Sequence, residues 1–141
     1  MPATPVSTAS PATPIAELLD PSVVGVYMVC ALVMVAFAMA MTMNKLLLGD
    51  ALSPLSRNLL RQWLLENTTG GKRLKAGTPA DWTVGDKTGT NKTDANDIGI
   101  LLPPQGAPVL VTAYLADSTA SSQIKDATLA EVGRLTSMGI R

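Results

Sequence analysis

Residues 23–43 contain no Asp, Glu, Lys or Arg, and nearly every side chain in the run is apolar. Water does not stabilise that much uninterrupted apolar surface, so the run must be covered by protein or placed in lipid. A helix of this length, at 1.5 Å per residue, spans about 30 Å, the thickness of a bilayer's hydrocarbon core. From Val23 to Met43 the chain is therefore a transmembrane candidate, with membrane association as the consequence. A secretory signal is the rival reading, because Ala36-Phe37-Ala38 and Ala38-Met39-Ala40 both have the small-x-small form of a cleavage site. Against it, the preceding segment is long and carries Glu17 and Asp20, where a signal has a short positive region. In a third reading, the end of the run opens a buried helix of whatever follows. All three stay open. If the helix spans, Lys45, Arg57 and Arg61 belong on the cytoplasmic side, since every Lys and Arg lies from Lys45 onward. Residues 1–22 are mostly Pro, Ala, Thr and Ser. They hold too little apolar surface to offset their ordering entropy and are expected to be disordered, with at most one helical turn at 15–19.

Composition removes several function classes. The chain has no histidine and one cysteine, so His-based triads, His-ligated metal sites and an internal disulfide are excluded. Cys30 sits in the apolar run, where packing is its expected role. Eleven basic and eleven acidic residues balance, with no basic stripe interleaved with aromatics, so nucleic acid is not an expected partner. No metal and no cofactor are expected.

From Ser53 the pattern is that of a soluble protein. Ser53-Pro54 is a helix start, a hydroxyl cap followed by proline at the first helical position. Leu55, Leu59, Leu60, Trp63 and Leu64 are expected on one buried face. The helix should end at Asn67-Thr68-Thr69-Gly70-Gly71. Strands are expected at 82–90, 97–102 and 109–116, the last two joined by the turn-rich Pro103-Pro104-Gln105-Gly106-Ala107-Pro108. The third strand is apolar nearly throughout and should be covered on both faces. A closing helix over 121–138 would place Ile124, Thr128, Leu129, Val132 and Leu135 along one arc.

The first strand carries Lys87-Thr88-Gly89. An ammonium beside a hydroxyl, followed by a glycine that leaves the backbone bare, suits the gripping of an anion. Around this triplet, residues 38–141 resemble the class A serine β-lactamases, whose motifs include K-T-G. The likeness is carried by Asn44-Lys45-Leu46-Leu47-Leu48-Gly49-Asp50-Ala51-Leu52, Asn67-Thr68-Thr69-Gly70, Arg73-Leu74-Lys75-Ala76-Gly77, Pro79-Ala80-Asp81-Trp82, Asp86-Lys87-Thr88-Gly89-Thr90 and Asn96-Asp97-Ile98-Gly99. The fold it implies is α/β (α+β), a partial β-lactamase/transpeptidase-like domain. Its elements are a three-stranded antiparallel meander and flanking helices, preceded by one apolar helix.

The resemblance also implies roles. Lys87 sets the electrostatics for an anionic β-lactam and Thr88 hydrogen-bonds its carboxylate. Gly89 admits the ligand, the Thr90 backbone N–H is an oxyanion-hole donor, and Arg73 supports the carboxylate end. The family works in the periplasm, so the bacterial cell envelope is the expected location. That conflicts with a cytoplasmic placement of Lys45. The family's upstream S-x-x-K, its S-D-N and its E-x-x-L-N do not occur here; the one S-x-x-K is Ser122-Gln123-Ile124-Lys125, downstream of the triplet. Serine hydrolysis is the family activity, and this chain is expected to lack both nucleophile and general base. The turn after Thr90 looks shorter than in many relatives. Two strands of the family's five-stranded sheet are also missing, so the strand at 109–116 should expose an open edge. A lone monomer is therefore expected to be marginally stable. The competing function is a membrane-tethered, non-catalytic carboxylate-binding module.

Overall fold

The computed structural model describes residues 20–140. The leader expected to be disordered lies, up to residue 19, outside the described residues. The chain separates into two compact units, residues 1–33 and 34–141. In the first, the described part is the start of helix α1 (Pro21–Met43). Asp20 precedes it: its carbonyl accepts the Val24 N–H at 2.9 Å and its carboxylate accepts the Ser22 N–H at 2.9 Å. Val24, Val26, Tyr27, Met28, Val29 and Val33 are all exposed, so this stretch has no polar side.

The second unit begins with the end of α1. Met43 and then Leu47, on a single π-helical turn (Asn44–Leu48), are buried. Helix α2 (Pro54–Leu65) starts as its sequence requires, with the Ser53 hydroxyl accepting the Ser56 N–H at 3.2 Å. Its expected apolar face is only half covered. Leu60 and Leu64 pack near Met43, Leu47 and Ile100, whereas Leu55, Leu59 and Trp63 are exposed. The reason is angular: the five residues form two i, i+4 rows about 100° apart, and only one row meets the sheet. A short helix that the sequence pattern did not suggest, α3 (Leu74–Gly77), follows the Gly70-Gly71 bend.

Strands β1 (Thr83–Thr90), β2 (Ala95–Leu102) and β3 (Val109–Leu115) form an antiparallel meander in the order β1-β2-β3. β2 starts two residues earlier than its hydrophobic pattern indicated, because Ala95 and Asn96 complete the register opposite Thr90 and Gly89. Pleat alternation divides the sheet into two faces. One presents Val84, Ala95, Leu101, Val111 and Ala113 to Leu74 and to Leu129 of helix α4 (Ser122–Met138). The other presents Ile98, Ile100, Leu102 and Leu110 to Met39, Met43, Leu47 and α2. β3 is therefore covered on both faces, and Thr112 also donates to the carbonyl of Ala36 at 3.0 Å. Helices α3 and α4 meet backbone to backbone: a Cβ on Gly133 would lie 2.2 Å from the Leu74 carbonyl oxygen. The architecture is the expected three-stranded antiparallel sheet with flanking helices, preceded by an apolar helix.

Candidate functional site

Lys87, Thr88, Gly89 and Thr90 occupy the last half of β1, an edge strand among the described residues. Alternation sends Lys87 and Thr88 to opposite faces, so they cannot form the side-by-side pair that their adjacency suggests. What joins them is the backbone: Lys87 Nζ folds back and donates to the Thr88 carbonyl at 2.6 Å. The ammonium is exposed. Thr88 Oγ1 lies 2.7 Å from Thr69 Oγ1, in the loop after α2. A Cβ at Gly89 would meet nothing closer than 3.7 Å, so internal packing does not demand glycine there.

Arg73 is the brace of this strand end. It is buried, and its guanidinium reaches four acceptors: Asp126 Oδ1 at 2.8 Å, the Gly89 and Asn96 carbonyls at 3.2 and 2.8 Å, and Thr90 Oγ1 at 2.7 Å. It thus ties β1, β2 and α4 together from behind the wall. Asp126 and Thr69 are contributors that the sequence reading missed. Thr69 stood in a quoted motif without a role, and nothing local links Asp126 to an arginine 53 positions away.

Two carboxylates lie beneath the same strand. Asp86 is buried on β1, accepting from Asn67 Nδ2 at 2.8 Å, and its other oxygen fits only because residue 70 is glycine. Asp97 is fully buried on β2, opposite Thr88, and accepts the Leu74 N–H at 3.1 Å. Burial first, and then the neighbouring Asp86 charge, pushes the Asp97 carboxyl up to about 7. Folding therefore takes up a proton here, and the stability this group contributes is full below its ordinary carboxylate range. It is lost as pH rises toward 7. At about 1.4 kcal/mol per unit, the loss should be on the order of 2–4 kcal/mol between pH 4 and pH 8. Asp97→Asn keeps the acceptor for Leu74 and should remove that slope. Denaturant titrations of both proteins across this range test it, and parallel pH profiles would contradict the assignment.

The downstream Ser122-Gln123-Ile124-Lys125 opens α4. Ser122 is exposed in the first turn, while Lys125 is buried and donates to the Lys92 carbonyl at 2.8 Å. A cavity of about 40 Å³ beside it is lined by residues that include Arg73, Thr90, Ser122, Lys125 and Asp126, room for one water. A depression of about 510 Å³, lined by Asp81, Trp82, Pro103, Pro104, Gln105 and Ile140, lies at the other end of β1. Among the described residues no group of acidic, cysteine or histidine side chains could hold a metal ion.

A model of the β-lactamase enzyme family matches residues 31–138. The chain belongs to that family. A β-lactamase of Streptomyces albus G is 43% identical over 99 residues, which are 70% of this chain and 32% of that protein. A β-lactamase of Mycobacterium tuberculosis is 45% identical over 98 residues, 67% of this chain and 32% of its own length. Among solved structures, an ancestral class A β-lactamase superposes with a TM-score of 0.71 at 55% identity, covering 73% of this chain and 40% of that one. A Xanthomonas campestris β-lactamase gives 0.69 at 48% identity, covering 72% and 38%. The family likeness read from the motifs is thus matched in both sequence and fold, and the likeness is to class A. The chain spans about a third of the length of the curated β-lactamases it matches.

Proposed function

We propose that residues 38–141 are the C-terminal part of a class A β-lactamase domain and supply the carboxylate-binding wall of its site. In this reading Lys87 provides the field that attracts an anionic β-lactam, and Thr88 hydrogen-bonds the carboxylate. Gly89 lets the ligand approach the strand, and the Thr90 N–H faces the developing oxyanion. Arg73 acts from behind, holding Gly89 and Thr90 in place rather than touching the ligand. The observation that carries this is the braced, exposed strand end: Lys87 to Thr90 on an edge strand, pinned by a buried arginine. Turnover is a different matter. Ser122 sits on α4, and these 141 residues hold no S-x-x-K upstream of the triplet and neither of the other two family motifs. The chain binds without hydrolysing. Titration with a penicillin, followed by intrinsic tryptophan fluorescence or calorimetry, should show saturable binding that Lys87→Ala weakens by about 10–100-fold. That is the loss of one charge-assisted hydrogen bond of about 1.5–3 kcal/mol. Equal binding by both proteins would contradict the proposal.

A second reading, in which the wall is tethered to a membrane of the cell envelope, is favoured by the one helix long and apolar enough to span. That helix is at Val24–Leu48, exposed along its first half. In cells the full chain should then sediment with membranes and resist alkaline extraction; recovery in the soluble fraction would remove the tether.

A further inference from the structure

With Thr88 as the carboxylate donor of the wall, the reading proposed above, we propose that Thr69 and Asn67 keep its hydroxyl proton turned away from the ligand. A carboxylate then binds only by inverting a relay of hydroxyls. Thr88 Oγ1 lies 2.7 Å from Thr69 Oγ1, which in turn lies 2.9 Å from Asn67 Oδ1. The Thr69 backbone N–H reaches the same Oδ1 at 3.3 Å, and Asn67 Nδ2 donates to the buried Asp86 Oδ1 at 2.8 Å. What each atom can do fixes the direction of every bond. A backbone N–H only donates, so the Asn67 atom that faces residue 69 is its oxygen. The amide's NH2 group is left for Asp86, whose carboxylate oxygen accepts it. An amide oxygen only accepts, so Thr69 spends its one hydroxyl proton on Asn67 Oδ1. Between the two hydroxyls the donor is then Thr88.

Thr88 therefore offers a ligand only lone pairs, the wrong polarity for an anion. To donate to a carboxylate it must turn its proton outward. Two oxygens 2.7 Å apart would then have no proton between them, unless Thr69 swings its own from Asn67 to Thr88. The inverted relay keeps the bond between the hydroxyls and gives up the one to Asn67. Asn67 cannot flip in compensation, because the Thr69 N–H holds its oxygen and Asp86 holds its NH2 group. A hydrogen bond to an ionised acceptor is about twice as strong as a neutral one, so a carboxylate offsets the loss and an ester carbonyl does not. Thr69 is thus a positioning residue that never touches the ligand and makes the Thr88 hydroxyl answer to charge. Lys87 stands outside the relay, with Nζ on the Thr88 carbonyl.

The test is calorimetric titration of the full chain, in mild detergent because α1 is apolar, with benzylpenicillin and with its methyl ester. Thr69→Val keeps the side chain's shape and the backbone N–H on Asn67, at an exposed position. It should tighten penicillin binding about 3- to 10-fold, the release of one neutral hydrogen bond, and leave the ester's affinity unchanged. Thr69→Ala should repeat the gain, and Thr69→Ser, which keeps the hydroxyl, should bind both ligands as wild type does. In a Thr88→Val background the Thr69→Val change should have no effect on penicillin. A residue that merely props Thr88 gives the opposite sign, weaker binding once its hydroxyl is lost. Weaker or unchanged penicillin binding by both Thr69→Val and Thr69→Ala overturns the relay, and if Lys87→Ala still weakens binding the wall survives it. Absence of saturable penicillin binding by wild type removes the wall, and the relay with it.

Discussion

Arg73→Leu lowers the free energy of unfolding by about 3 kcal/mol or more, the largest loss expected from any single side chain in the wall. The change removes the partner of Asp126 and takes the guanidinium donor away from the Gly89 and Asn96 carbonyls and the Thr90 hydroxyl. Stranding one member of a buried pair costs about 3–5 kcal/mol, and Asp126 keeps some solvent access, which favours the lower end. Arg73→Lys should recover only part of this, because a single ammonium cannot fork to acceptors on three elements. Urea titration monitored by far-UV circular dichroism measures both variants. If the leucine variant proves too unstable for a cooperative transition, the lysine variant still ranks below wild type. A loss under 1 kcal/mol for leucine would mean that the guanidinium is not the brace described.

This arginine also shows how far the sequence could be read. Its family position implies a supporting role at the carboxylate end, and its acceptors are backbone carbonyls on two strands, the Thr90 hydroxyl and a carboxylate on the closing helix. Main-chain acceptors have no residue type, so no motif announces them. The carboxylates show the same limit. Asp86 and Asp97 were visible in the quoted stretches, yet only the register that sets Asp97 opposite Thr88 shows that both lie on the buried side. Adjacency suggests Lys87 and Thr88 as a side-by-side pair, and period-two alternation sends their side chains to opposite faces. In each case the residue was legible and its direction was not.

The elements fared better where a local rule decides them. The Ser53 cap, the turn-rich link at 103–108 and the three strands follow from local patterns that need only neighbours in sequence. Burial needs the rest of the molecule. α2 and α4 both carry apolar arcs wider than the sheet can cover, leaving Leu59, Trp63, Ile124 and Leu135 outside. Those side chains reveal how much of each arc finds a partner, a quantity set by the neighbouring elements rather than by helix periodicity.

The central claim is that the chain holds the gripping side of a hydrolase pocket without the attacking side. Losing the nucleophile of such a hydrolase typically costs about 10⁶-fold in turnover, the largest effect anticipated here. Its most direct test is to incubate the purified full chain with a fluorescent penicillin and record the intact mass, while following nitrocefin absorbance in parallel. No covalent adduct and no turnover above the uncatalysed rate are predicted, for wild type and Ser122→Ala alike. An adduct of one penicilloyl group per chain, or ring opening that disappears in Ser122→Ala, would show that α4 carries a working nucleophile and that the claim is wrong.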